Sequence, residues 1–544
     1  MKPSRQNRRG VAAKGGKKSA SATVASSGAQ PQPGEAPGIF AVIELGSSSV
    51  RMAIAQRGKN GALEPLDSLQ QTVTLGKDVF ATGQIRHETI EQCVAALRNF
   101  LTVLREYGAH RTCQVRAVAT SALREAANSE TVLDRIAIAT GLDVEMMDEA
   151  EVNRFTFLAV HPAIEARPRS HGQPTLVMEV GGGSTEYLLL RQGEVLASGT
   201  FRLGALRLRA TVEEPRFPVG RIRDTMLSYV RQAIEPLAGV ARPYPSVRIL
   251  ALGGDIRFAA SLLRNRQDDR ALTKVNVKEL AGLADRMLDL SVEETVRKHR
   301  LSFPDAETLG PALMAYVEIA RLLKQNALWV GQANLRKGIL ADMAGHDPWS
   351  ETFKKQILRS ARNIGDKYGY DARHADVTAH LCRQLFAALR EEHRLDARYE
   401  LILTVAALLH EIGGFVSNRS HHKHSMYLIL NSEIFGLSAR DLRLVALVAR
   451  YHRRALPKSG HELYSVLDRN DRIVVSKLAA LLRVADALGR QRRTRRDIRV
   501  ALRGGRVVVS VKSAEDLTLE EHALREKGPM FQYVYGKELI LERI

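Results

Sequence analysis

The sequence predicts an α/β protein whose two related subdomains face each other across a cleft, followed by an all-α domain and a small β-rich cap. Three observations carry this. Strand and helix patterns alternate from Ile39 onward. A strand–glycine loop–strand unit occurs twice, as "FAVIELGSSSVRMAIAQRGKNGALEPL" and as "TLVMEVGGGSTEYLLLRQGEVLASGTFRLG". Strand patterns then stop at about residue 345, and only helical spacing follows until the C-terminal stretch.

The elements follow in order. Residues 1–36 are a tail of Lys, Arg, Ser, Ala, Gly, Gln and Pro that cannot bury a core and is expected to be disordered. The first subdomain, 37–165, opens on the buried strand "IFAVIELG". Its second strand, "VRMAIAQ", leads to a hairpin-like turn at Gly58–Gly61. "HETIEQCVAALRNFLTVLREYG" is an amphipathic helix ending on Gly108; "QVRAVAT" is a strand and "SALREAAN" starts a helix. The second subdomain, 166–345, holds the second glycine unit and a third strand–glycine–helix passage, "SVRILALGGDIRFAASLL". Residues 346–490 read as helices throughout, among them "HADVTAHLCRQLFAALREE", "YELILTVAALLHEIGG", "HSMYLILNSE", "ARDLRLVALVARYH" and "VSKLAALLRVADALGRQ". Residues 491–544 read as strand, Gly-Gly turn, strand, helix, strand.

Composition narrows the function. The chain has 544 residues, 45% of them hydrophobic and 26% charged, which fits a folded protein of several domains. Its net charge is +20. Lys2, Arg5, Arg8, Arg9, Lys14, Lys17 and Lys18 belong to the tail, so the body remains basic without them. A basic body suits a polyanion (nucleic acid, an anionic membrane or a phosphate polymer), and a general arginine bias of the source genome would produce the same excess. Aromatic residues make up only 5%, which argues against stacking bases along an aromatic platform. Cys93, Cys113 and Cys382 lie far apart with no CxxC pair, as expected of a reducing compartment. No apolar run reaches a membrane span and the N-terminus lacks a signal-peptide core, so a cytoplasmic protein is expected.

The glycine loops carry the chemistry. In Glu44-Leu45-Gly46-Ser47-Ser48-Ser49, small residues let backbone N–H groups approach phosphate oxygens, and three hydroxyls can donate to the same oxygens. The leading carboxylate cannot attract phosphate itself; it suits Mg²⁺ bridging to phosphate. Glu179-Val180-Gly181-Gly182-Gly183-Ser184-Thr185-Glu186 repeats the arrangement and adds a second acid. Either loop alone reads equally as a tight β-turn; two at equivalent places argue for a shared ligand. No GK[ST] follows either loop, which excludes a Walker nucleotide site.

"FAVIELGSSSVRMAIA", "AVATSALREAAN", "VMEVGGGSTEYLLL" and "FRLGALRL" resemble, in order and spacing, the successive motifs of the exopolyphosphatase / guanosine pentaphosphate phosphohydrolase family. The likeness spans about residues 38–340 and continues through the helices. It implies two actin-like (ribonuclease-H-like) subdomains around the cleft. It implies Mg²⁺ (or Mn²⁺) and release of terminal phosphate from inorganic polyphosphate or from guanosine pentaphosphate. It also implies a homodimer, with no membrane and no specific nucleic acid as partner. By the resemblance, Glu44 and Glu179 are the strand-end acids near metal, and Glu186 closes the second loop as a catalytic acid residue. Ser47, Ser48, Ser49, Gly181, Gly182, Gly183, Ser184 and Thr185 are phosphate-loop positions, and Arg124 faces the phosphate cleft.

The departures from the family pattern are specific. Glu44 and Glu179 stand where Asp is usual, which carries each carboxylate one methylene deeper into the cleft. Ala251 and Asp255 replace Gly and Thr in the third glycine passage, and an anion at Asp255 repels phosphate unless a metal intervenes. The family's water-activating glutamate is the second of a tandem pair. Here the stretch is Asp148-Glu149-Ala150-Glu151-Val152-Asn153-Arg154, and an ungapped match puts Val152 at that position. Glu151 serves as the base only if the loop shifts by a residue. Loss of a general base removes about 10² to 10⁴-fold in rate. A binding protein that no longer hydrolyses its anion is therefore the alternative reading.

In the helical domain, His374, the His410–Glu411 pair and Asp486 follow the order of an HD-type metal phosphohydrolase, with Glu in place of the doublet's Asp. Imidazoles and carboxylates together can hold a divalent ion, so these four form a possible second metal site, and metal-dependent phosphohydrolysis in this domain is a further alternative. His421, His422, His424 and His452 lie in nearby helical phrases. Lys423, Arg450, Arg453, Arg454 and Lys458, together with Arg490, Arg492, Arg493, Arg495 and Arg496, either extend a polyanion path or form solvated faces.

Overall fold

The computed structural model describes residues 38–58, 62–107, 113–165, 172–212, 221–263, 272–345, 351–489, 498–511 and 517–543. The basic tail, most of the Gly58–Gly61 turn, Gly108 and the run Arg490–Arg496 lie outside them. Two central sheets carry the first part of the chain. The first orders β3 (Leu63–Thr72), β2 (Ser49–Arg57), β1 (Ile39–Leu45), β4 (Cys113–Ala119) and β5 (Val144–Met146) side by side. β1, β2 and β3 form an antiparallel meander, and β4 and β5 run parallel to β1. β1 is almost wholly apolar, as a strand covered on both faces must be.

The second sheet repeats the plan. β8 (Glu194–Phe201), β7 (Thr185–Arg191) and β6 (Thr175–Val180) make the meander; β9 (Arg248–Leu252) and β11 (Ala327–Gly331) extend it in parallel, and β10 (Leu272–Asn276) closes the edge. Behind it lies the buried helix Phe303–Leu322. β1 and β6 end at the same point of their sheets, so the two glycine loops, which start there, face one another. The repeated sequence unit is thus a repeated structural unit.

One strip of chain sits elsewhere than its sequence position suggests. The helix Leu335–Ala344, placed by sequence in the second subdomain, packs on the first sheet: Leu335, Ile339 and Leu340 share a core with Phe40, Val42 and Val118. Arg336 therefore reaches Glu44, an ion pair spanning 292 residues of sequence. The helix Glu149–Glu165 serves both sheets, with Phe155 in that core and Phe157 and Val160 against Val177 and Leu188.

The helical domain forms around the wholly buried helix Arg398–Leu409, packed by Glu351–Lys367, Ala372–Ala388, Ala439–Arg450 and Arg469–Leu488. It shares a continuous core with one face of the second sheet, including Leu190, Val195 and Leu252. Gln356 pins the join: its side chain accepts from Val195 N at 2.9 Å and donates to Gly193 O at 3.1 Å. The C-terminal cap is a three-stranded sheet of β12 (Ile498–Arg503), β13 (Arg506–Val511) and β14 (Leu539–Arg543) with the helix Thr518–Lys527. Gly504 and Gly505 make its hairpin turn at φ 56° and 76°, a pair of left-handed positions that suits Gly-Gly. No described helix is long and apolar enough to cross a membrane.

Candidate active site

The two glycine loops close on the same backbone device. Gly46 N donates to Ser49 O at 3.0 Å, and Gly181 N donates to Ser184 O at 2.8 Å. The loops meet across the cleft: a Cβ on Gly182 would lie 2.9 Å from the Ser47 Cβ, and one on Gly183 would lie 2.6 Å from Ser121 Oγ. Gly204 of "FRLGALRL" is required for a close approach, because its Cβ would fall 2.4 Å from Gly182 O. That motif thus buttresses the second loop: the helix after it hydrogen-bonds back through Ala205 N to Gly181 O and Leu206 N to Gly182 O. Arg207 then donates to Gly183 O and pairs with Glu125 of the first subdomain at 2.6 Å, which ties the two halves together.

Between the loops lies a cavity of about 330 Å³. Glu44, Ser47, Ser48, Ser49, Arg124, Glu179, Gly181, Gly182, Ser184 and Glu186 all line it, so most of the sequence-derived positions converge. Gly183 and Thr185 do not line it. Gly183 packs on Phe80 and Ser121, and the Thr185 hydroxyl is spent on Leu203 O at 2.5 Å. Arg124 is at the mouth, donating to Met147 O at 2.8 Å, with Glu149 at 3.6 Å.

Val152 does line the cavity, where the ungapped match puts it. Glu151 does not. Asp148 and Glu151 cap the helix Glu149–Glu165 reciprocally: Glu151 N donates to Asp148 Oδ1 at 2.9 Å, and Asp148 N donates to Glu151 Oε2 at 3.1 Å. The loop shift that would let Glu151 serve as base is not the arrangement present, because a capping box already employs that carboxylate.

Four carboxylates and three further arginines set the electrostatics. Glu179 and Glu186 are directly opposite one another in the β6–β7 ladder. Like charges in that relation are destabilising unless a proton or cation intervenes. Burial pushes the Glu186 carboxyl up to about 7, against the hydrogen bond from Ser184 Oγ at 2.5 Å, with Glu179 adding to the rise. Burial raises Glu179 too, opposed by Arg257 and reinforced by Glu44. Asp255 is pushed up to about 6 by burial, with Thr308 Oγ1 donating to it at 3.1 Å. Glu44 pairs with Arg336.

Sequence reading missed Arg51, Arg257 and Arg336, all in the lining. Arg51 Nε and Arg257 Nη1 are buried without a hydrogen-bond partner, donors held ready for an oxyanion. An arginine inside the apolar strand "VRMAIA" was the available signal for Arg51. Tyr316 was missed as well. Its hydroxyl accepts from Val180 N at 2.8 Å and donates to Leu252 O, pinning the strand end next to Glu179. The oxygen-only set of Glu44, Glu179 and Glu186 fits a hard divalent ion.

In the helical domain, His374, His410 and Asp486 come together, all buried, and Glu411 Oε2 stands 3.8 Å from His374 Nε2. His421 and His452 approach each other, Nε2 to Nε2, at 3.2 Å. Of the basic residues near them, Arg454 is paired with Glu526 at 2.5 Å, and Lys423, Arg453 and Lys458 are exposed.

Comparison with known proteins agrees with this geometry. Residues 54–347 match the Ppx/GppA phosphatase family, and residues 358–527 match Ppx/GppA phosphatase domain III. The guanosine-5'-triphosphate,3'-diphosphate pyrophosphatase of Photobacterium profundum is 22% identical over 457 residues, 84% of this chain and 87% of that protein. That of Vibrio parahaemolyticus is 23% identical, over 78% and 82% respectively. The crystal structure of an exopolyphosphatase from Cytophaga hutchinsonii superposes with a TM-score of 0.51 at 22% identity, covering 56% of this chain and 97% of that one. With both the cleft-bearing core and the helical region matched in order, the chain belongs to the Ppx/GppA phosphatase family.

Proposed function

We propose that this chain removes the terminal phosphate of a linear phosphoanhydride, inorganic polyphosphate or guanosine pentaphosphate, in the cleft between its two actin-like subdomains. The observation that carries the reading is the pairing of unpartnered buried arginine donors, Arg51 Nε and Arg257 Nη1, with opposed carboxylates, Glu179 and Glu186, in one cavity. The arginines and the loop N–H groups of Gly181 and Gly182 bind the terminal phosphate. Glu44 and Glu179 would hold Mg²⁺ or Mn²⁺, which supplies charge neutralisation at the phosphate oxygens. Glu186, placed near neutral pH by burial, is the group able to take the proton of the attacking water, since Val152 cannot. The water oxygen bonds to the terminal phosphorus, the P–O bond to the penultimate phosphate breaks, and the shortened chain leaves with that bond's electrons.

Val152 in the lining favours a second reading, tight binding with little or no turnover. One experiment separates the two: phosphate release from long-chain polyphosphate and from guanosine pentaphosphate with Mg²⁺, for the native chain, Val152→Glu and Glu186→Gln. The first reading expects native release that Glu186→Gln removes and Val152→Glu raises by about 10². Tight binding with no native release selects the second. Fast native release slowed by Val152→Glu refutes the assignment of the missing base.

A further inference from the structure

The helical domain holds a group of buried donors that cleft chemistry does not use. His374 comes from the helix Ala372–Ala388, His410 from the end of Arg398–Leu409, and Asp486 from Arg469–Leu488. Their exposures are 4%, 1% and 4%, and one ligand atom from each lies within 4.8 Å of the others.

Hydrogen bonding fixes the state of His410. Its Nδ1 lies 2.8 Å from Ala407 O, and a carbonyl oxygen only accepts, so Nδ1 carries the proton. Nε2 then presents a lone pair. It is buried, has no hydrogen-bond partner and stands 3.8 Å from Asp486 Oδ1. Two acceptors facing one another in a water-poor space are costly unless a cation lies between them. A ring whose far nitrogen donates to a backbone carbonyl while the near one stays bare is the arrangement of a metal-bound imidazole. The spacing agrees: His374 Nε2 to Asp486 Oδ1 is 3.4 Å. Two ligands each about 2.1 Å from one ion lie roughly 3 to 3.5 Å apart. The neighbouring His421–His452 contact differs, because one N–H···N bond satisfies it.

Asp486 is also shared. Its Oδ1 faces the imidazoles, and its Oδ2 is paired with Lys527, which closes the helix Thr518–Lys527 of the C-terminal cap and is itself largely buried. An ammonium and a divalent ion on one carboxylate repel each other.

We propose that His374, His410 and Asp486 form a divalent transition-metal site distinct from the cleft, and that Lys527 is its internal antagonist, the cation that neutralises Asp486 until an ion arrives. The imidazole-rich donor set selects ions such as Zn²⁺, Co²⁺ or Mn²⁺ over Mg²⁺. Ion uptake and the seating of the cap helix are thereby coupled.

The test is Co²⁺ titration of the full chain, read by visible absorption, in which nitrogen ligation differs from the oxygen-only cleft. The native chain should show one nitrogen-ligated Co²⁺. Lys527→Met should tighten it at least about tenfold. His410→Gln should abolish the bands, and Glu179→Gln should leave them intact. If His410→Gln does not fold, His374→Gln replaces it, with circular dichroism as the folding check. No nitrogen-ligated bands in either the native chain or Lys527→Met overturns the site, as do bands that survive loss of the histidine. Equal or weaker binding in Lys527→Met overturns the role of the lysine.

Discussion

The two glycine-loop units differ in one decisive place. In the first, the strand-end acid Glu44 is opposite Arg51 in the β1–β2 ladder. In the second, Glu179 is opposite Glu186 in the β6–β7 ladder. The loops between them close on equivalent hydrogen bonds. One unit therefore presents a compensated pair whose arginine keeps a donor free, and the other a like-charge pair that takes up a proton or a cation. A duplicated backbone has been divided into an anion-binding half and a cation- or proton-binding half by a single position at the same offset.

Exchanging those charges breaks the comparison. Glu186→Gln leaves the second unit without a proton acceptor, and phosphate release should fall by about 10² to 10⁴ with the affinity for polyphosphate kept. Loss of affinity instead would make Glu186 a binding residue. Arg51→Glu turns the first unit into a copy of the second, and polyphosphate affinity by calorimetry should drop roughly 10²-fold or more. An unchanged affinity would place the anion elsewhere.

Acidity sharpens the contrast. A base held at about 7 must be ionised to act, so activity should rise with pH through about 7 and fall about tenfold per unit below it. A flat profile from pH 5.5 to 8 would remove Glu186 as base. The same group has its ordinary value of 4.5 raised in the folded chain, which therefore binds that proton more tightly than the unfolded one. Its contribution to stability is fullest below 4.5 and is lost as pH climbs to about 7.

The smallest expected effect concerns how the second unit is held. Tyr316→Phe strands the Val180 N–H and the Leu252 carbonyl, and should cost about 1 to 3 kcal/mol in a denaturant melt. The first unit has no such tyrosine in its description, so the phenylalanine variant should loosen only the half that bears Glu179.

Much of this was legible in the sequence because it is local. The acid–glycine–hydroxyl strings name both loops, strand periodicity names their flanks, and an ungapped match alone puts Val152 in the cleft. The charges that complete the site are not local. Arg336 reaches Glu44 across most of the chain, by way of a helix that leaves its own subdomain to pack on the other. Thr185 shows the converse: it belongs to the loop string, yet its hydroxyl faces Leu203 O, and nothing in the string gives that orientation. Lys527 contacts Asp486 only because the cap folds back on the helices, a tertiary fact with no sequence pattern.

The capping box at the start of the helix Glu149–Glu165 has a mechanical consequence. Asp148 spends its second oxygen on Ala439 N of the helical domain at 2.5 Å. The next turn of the same helix supplies Val152 to the wall of the cleft. That wall is therefore hung from the helical domain like a door from its frame, and a shift in the frame tilts the door. Whatever is bound among the distant helices has a rigid lever, one turn long, with which to alter the width of the phosphate cavity.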